Sequence, residues 1–106
     1  MAYEDVLHAL ADPTRRSIFE TLRARPMAVG ELAQRQTVSR PAVSQHLRVL
    51  ESARLVRVEQ QGNRRMYSVD RHGLDELRRY LDGYWSDVLS AYGAEIARRA
   101  KPREKA

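Results

Sequence analysis

Positions 41 to 48 read "PAVSQHLR", and positions 62 to 65 read "GNRR". The first stretch carries Ser44, Gln45, His46 and Arg48 with the small Ala42 and the ring of Pro41. The second carries Asn63, Arg64 and Arg65 beside a glycine. The chemistry these residue types offer is recognition. A glutamine carboxamide pairs bidentately with adenine and a guanidinium with guanine, while alanine and proline let a helix approach base edges and thymine methyls closely. Two guanidiniums on a thin turn suit a phosphate backbone or a minor groove. Bond-making chemistry finds no support: no serine has an orienting histidine and acid at a recognisable spacing, and no glycine loop is built for phosphate. No catalytic residue is therefore expected. The chain has no cysteine, which excludes disulfides, thiolate metal sites and a cysteine nucleophile.

Those side chains act together only if a helix and a hairpin hold them. Over residues 40–52, a rotation of about 100° per residue directs Val43, Leu47, Leu50 and the stem of Arg54 inward. It turns Pro41, Ala42, Gln45 and Arg48 outward, with Ser44 and His46 flanking that face. Ser39 is a good N-cap, and Pro41 falls in the first turn, where proline is tolerated. Such a helix start also aims backbone N–H groups at a phosphate. Beyond it the period changes to two, through Val56, Val58 and Gln60, then Met66 and Ser68. Between these runs Gln61, Gly62 and Asn63 offer the positive-φ residues that a hairpin needs.

The remaining elements follow from the same local signals. Tyr3, Val6, Leu7 and Leu10 have helical spacing. Asp12 caps and Pro13 opens a second helix, with Ile18, Phe19 and Leu22 on its apolar face and Arg25–Pro26 as its end. "MAV" reads as a very short strand, and Val29, Leu32 and Ala33 as the inner face of a third helix. From Asp70, a plausible N-cap, one long helix is expected to about Arg99, with Leu74, Leu77, Leu81, Tyr84, Val88, Tyr92 and Ile96 along one side. The expected fold is mainly α with a small β-hairpin wing: two helices, a short strand, two helices, two strands and a last helix. That is the order of a winged helix-turn-helix. A polar helix face alone reads equally well as solvated surface. The arginine-tipped hairpin beside it turns the reading toward double-stranded DNA.

Composition agrees with that partner. The 106 residues form one small domain, 42% hydrophobic and 31% charged, with no apolar run near the roughly 18 residues that a membrane span needs. The acidic start, "MAYEDVLHAL", lacks the basic region and apolar core of a secretion signal. A cytoplasmic protein with no membrane partner is expected. The net charge of +5 is unevenly spread. Residues 1–36 are neutral, and residues 37–68 carry six arginines against two glutamates. Residues 69–97 sum to −3 and residues 98–106 to +4. The positive block thus coincides with the candidate helix and hairpin. Residues 1–97 read as a single DNA-binding and dimerisation domain, and 98–106 as a basic, disordered tail.

Three stretches, "ALADPTRRSIFETL" (9–22), "VGELAQRQTVSRPAVSQHLRVLESARLV" (29–56) and "QGNRRMYSVD" (61–70), resemble the ArsR-type winged-helix transcriptional repressors. The resemblance covers nearly everything from Tyr3 to Asp70. It implies a homodimer joined through its first and last helices, with the second helix of the helix-turn-helix in the major groove. Carried over by position, it implies DNA contacts by Ser39, Arg40, Pro41, Ser44, Gln45 and His46, and by the wing residues Arg64 and Arg65. The helical arithmetic supports Pro41, Ser44 and Gln45, leaves His46 at the edge, and adds Ala42 and Arg48. Asn63 joins the wing set. Metal-sensing members carry thiolates before the recognition helix or His and carboxylate ligands across the last helices. Here "VGELAQRQ" has no cysteine, and the last helix offers only His72 near Asp75 and Glu76, which reads as a solvated surface group. Neither metal nor cofactor is expected.

Trp85 lies beside the apolar stripe of the last helix, and Gly83 and Gly93 weaken that helix by about 1 kcal/mol each while permitting close approach. The favoured reading is a dimer seam of Tyr3, Val6, Leu7, Leu10, Leu77, Leu81, Tyr84, Trp85, Val88, Tyr92 and Ile96. The sharper alternative is a small-molecule effector pocket around Tyr84, Trp85 and Tyr92. The function expected is a homodimeric repressor on an inverted-repeat operator. A winged-helix module docking on an acidic protein and a transcriptional activator are the alternatives.

Overall fold

The computed structural model describes the backbone of residues 2–104 and the side chains of residues 3–99. Helices α1 (Ala2–Ala11) and α2 (Pro13–Leu22) lead into strand β1 (Met27–Ala28), α3 (Val29–Gln34) and α4 (Arg40–Ser52). Strands β2 (Val56–Gln61) and β3 (Arg64–Val69) form the wing, and α5 (Arg71–Glu104) closes the chain. The antiparallel sheet runs β1-β3-β2, with Tyr67 opposite Met27 on one side and Val58 on the other. β3 therefore ties the wing to the start of the helix-turn-helix.

Local capping explains where the helices begin. The Asp12 carboxylate accepts the Arg15 amide at 2.9 Å, and the Ser39 hydroxyl accepts the Ala42 amide at 3.3 Å. Each satisfies one of the N–H groups that a helix start leaves without a partner. Pro13 and Pro41 stand in the first turns, as expected. Ile18 and Leu22 of α2, Leu32 of α3 and Val43, Leu47 and Leu50 of α4 are buried together with Leu55 and Val56. This core holds the outer face of α4 at a set angle to the wing.

Several expectations need correction. α2 stops at Leu22 instead of Arg25–Pro26, because the Arg23 and Ala24 amides turn back to Glu20 and Thr21. Arg54 does not send its stem into the core. It is exposed, beyond the end of α4, at φ 57°. The amides of Arg54 and Leu55 bond to the carbonyls of Glu51 and Leu50 at 3.0 and 2.9 Å. This is a Schellman cap with arginine in the left-handed position. The reversal swings Leu55 onto Leu50, so Leu55 fills the core position expected for Arg54. In the wing, Gln61 pairs with Arg64, which leaves Gly62 and Asn63 as a two-residue turn. Only Gly62 takes positive φ among the three expected residues, a pattern that suits glycine at the first turn position.

The last helix continues through Glu104, so residues 98–104 are helical where a disordered tail was expected. Arg98 and Arg99 lie one turn from Glu95 and both pair with it, Arg99 at 2.7 Å. Residues 105 and 106 of that tail lie outside the described residues. Leu74 and Leu77 pack on the core, but the remainder of the expected stripe leaves it. The molecule measures 73 × 24 × 22 Å, with α5 as its long dimension.

Candidate nucleic-acid interface

Two elements converge on one face: the first three turns of α4 and the tip of the wing. Ser39, Arg40, Pro41, Gln45 and Arg48 are exposed, as are Asn63, Arg64 and Arg65. Ser44 and His46 are half-buried along the flank, where the helical rotation puts them, and Ala42, expected to face outward, is half-buried with them. Among the described residues, no carboxylate stands within 4 Å of the guanidiniums of Arg40, Arg48, Arg64 or Arg65. The arginines of α5 behave differently. Arg78 lies 3.7 Å from Asp82, and Arg79 lies 2.9 Å from Glu76. The charges of Arg78 and Arg79 are thus balanced within α5, while those of Arg40, Arg48, Arg64 and Arg65 are left for an outside anion.

His46 is drawn toward α2. Its Nδ1 is 3.5 Å from Arg15 Nη1, while Arg15 Nε donates to the Ala9 carbonyl at 2.8 Å. Arg15 therefore joins the end of α1 to the flank of the recognition helix. The Asp12 carboxyl is held below its ordinary range, first by the Arg15 backbone N–H and then by the positive charges of Arg15 and His46 against a burial penalty. Arg15 was not singled out in the sequence, since its partners are six and 31 positions away.

Between α4 and the wing lies a cleft of about 380 Å³, floored by the first turn of α3 and walled by Arg40 and Asn63–Arg65. Its acid is Glu31, another residue that sequence reasoning missed. Glu31 accepts hydrogen bonds from both Nη atoms of Arg25 and lies 3.8 Å from Arg35. Arg25 above all, then Arg35 and Arg64 through charge, hold its carboxyl below the usual range, while burial opposes them. The spacing of Glu31 and Arg35 was a visible signal. The Arg25 and Arg64 contributions were not.

The expected seam residues divide into three groups. Leu7, Leu81, Tyr84, Trp85, Val88, Tyr92 and Ile96 are exposed, Trp85 by 56%, and Tyr80 and Leu89 extend the patch beyond what the sequence suggested. Tyr3 stacks on Tyr80 with ring centroids 4.1 Å apart, and Leu10 and Leu77 pack on the protomer's own core. Val6 is a correction: it is wholly enclosed within the protomer and has no surface to offer a second copy. Tyr84, Trp85 and Tyr92 stand on open helix, so the protomer supplies one wall of any effector pocket there. His72 Nε2 lies 4.0 Å from Glu76, and both are at the surface. No described helix is long and apolar enough to cross a membrane.

A family model described as "Helix-turn-helix domain" matches residues 10–59. The HTH-type transcriptional regulator Rv2034 of Mycobacterium tuberculosis is 56% identical over 88 residues, spanning 83% of this chain and 82% of that protein. The transcriptional repressor SdpR of Bacillus subtilis is 33% identical over 66 residues, spanning 62% of this chain and 73% of its own length. Among solved structures, an ArsR-like transcriptional regulator from Rhodococcus sp. RHA1 superposes with a TM-score of 0.79 at 28% identity, covering 93% of this chain and 92% of that one.

Proposed function

This chain belongs to the ArsR family of winged helix-turn-helix transcriptional regulators, and from that premise we propose that it is a homodimeric repressor of an inverted-repeat operator. It is a DNA-binding regulator and not an enzyme. The observation that carries the finer reading is that Arg40, Arg48, Arg64 and Arg65, on α4 and the wing tip, have no carboxylate partner among the described residues, while the apolar stripe lies apart from them on α5.

In this reading α4 enters the major groove. Gln45 and Arg48 address base edges, Pro41 and Ala42 set the close approach, and Ser39, Arg40, Ser44 and His46 anchor the flanking phosphates. Asn63, Arg64 and Arg65 bring the wing to the neighbouring minor groove or backbone. The exposed stripe from Leu81 to Ile96, with Leu7, meets its equivalent on a second copy. A two-fold axis then presents two α4 helices to successive major-groove faces about 34 Å apart, which is why the operator is an inverted repeat. Occupancy blocks a promoter. A small-molecule effector would bind at Tyr84, Trp85 and Tyr92, where the second copy supplies the missing wall.

Selection of bound sequences from random duplexes, followed by sedimentation of the complex, tests the proposal. The expected result is a palindromic consensus bound by two copies. Binding without sequence enrichment, or as a single copy, would overturn it. A reporter carrying the selected site in its promoter separates repression from activation.

A further inference from the structure

The cleft between α4 and the wing has a floor and three guanidinium-bearing walls, yet none of the residues proposed to read bases fills it. Arg40 stands at the start of α4, and its Nη1 would lie 3.5 Å from a Cβ placed on Gly30. Arg64 and Arg65 face it from the wing. Arg25 and Arg35, which pair with Glu31, are not part of its lining. The cleft's own three arginines therefore remain available to an anion from outside.

Duplex geometry identifies that anion. A strand of the phosphate backbone separates every major groove from its adjoining minor groove. If α4 lies in one and the wing tip in the other, the strand between them passes through the space that divides α4 from the wing. We propose that this cleft seats one backbone phosphate on Arg40, Arg64 and Arg65, and that Glu31 is a positioning residue whose fixed negative charge weakens that seat. The assignment rests on the DNA-binding reading above and adds to it a site and its attenuator. Glu31 orients Arg25 and Arg35, at a cost to phosphate affinity that keeps non-specific binding low, since backbone contacts are insensitive to sequence.

The charge of Glu31 is the variable to change. Its pairs are partly exposed, the Arg25 side chain by 50%, so their loss leaves the fold intact. Glu31→Gln should tighten duplex binding by about threefold or more at low salt, on matched and mismatched sequences alike. Glu31→Asp keeps the charge and should not. Arg40→Ala in the Glu31→Gln background should remove the gain. A parallel NMR titration of the whole protein with inorganic phosphate should move the amides of Gly30, Asn63 and Arg64, more strongly in Glu31→Gln. Equal duplex affinity for wild type and Glu31→Gln would overturn the proposal while leaving DNA binding in place. Absence of saturable duplex binding by wild type would overturn the DNA reading and, with it, the backbone assignment. Phosphate shifts confined to other residues, or saturation by free phosphate at micromolar concentration, would also overturn the backbone assignment, the latter in favour of a free anion.

Discussion

The Gly73 amide donates to the Arg54 carbonyl at 2.8 Å, and a Cβ on Gly73 would stand 2.5 Å from the Ala53 carbonyl oxygen. This contact places the first turn of α5 directly on the cap that ends the recognition helix. The Asp70 amide reinforces it by bonding to the Leu55 carbonyl at 2.9 Å. The helix that carries the exposed apolar stripe is thus anchored to the helix that carries the polar reading face.

Gly73→Ala should lower stability by about 2 kcal/mol, because backbone carbonyls cannot yield as a side chain would. Thermal denaturation followed by circular dichroism should show a midpoint roughly 10 °C lower. An unchanged midpoint would mean that the joint opens without cost.

Arg54 holds the left-handed position of the cap at φ 57°, where a Cβ is strained. Arg54→Gly relieves that strain, offset by the greater freedom of glycine in the unfolded chain. The net effect should be a gain of up to about 1 kcal/mol in urea denaturation. Destabilisation would indicate that the arginine side chain itself supports the joint.

Replacing both Arg64 and Arg65 with alanine should weaken binding to all duplexes and flatten the dependence of affinity on salt. A loss of about one unit of slope is expected for each phosphate contact removed. Gln45→Ala should instead relax base preference at one position per half-site, by about 1–3 kcal/mol, and leave the salt slope alone. Competition assays at several salt concentrations separate the two.

Trp85 and Leu89 are 56% and 58% exposed, so the protomer does not need them to fold. Trp85→Glu with Leu89→Glu should give a folded monomer by sedimentation, with sharply reduced affinity for a two-site duplex. A dimer that survives both charges would place the interface elsewhere. Trp85 fluorescence also reports on the pocket: a ligand that shifts it and releases operator DNA would identify the effector.

Asp12 and Glu31 both have carboxyls held below their ordinary range. The unfolded chain therefore binds more protons than the folded one in acid. The stability these groups contribute is present above the ordinary carboxylate pKa of about 4 and is lost as pH falls through the lower folded values. Asp12→Asn keeps a capping acceptor while removing one titration. It should lower the neutral plateau of the stability profile and so flatten its acid limb, leaving stability at the acid end little changed.

Much of this architecture was legible because its causes are local. Asp12 and Ser39 cap helices within three residues of themselves, Pro13 and Pro41 suit first turns, and the 3.6-residue period alone placed Gln45 and Arg48 outside and Val43 and Leu47 inside. What the linear chain left open was decided by partners distant along it. Val6 and Leu7 fit the helical spacing equally well, and the packing of α1 determined that Val6 is enclosed while Leu7 is left bare. Arg54 gave way to Leu55 because the end of α4 reverses through a left-handed residue whose carbonyl is met by Gly73, nineteen positions on. Glu31 became the floor of a cleft only when the sheet brought the wing over α3, setting Arg64 near a carboxylate 33 positions earlier. Caps and periodicity act over a single turn of chain, and sequence determines them. Charge fields and close approaches act through space, so the tertiary structure alone decides which groups they join.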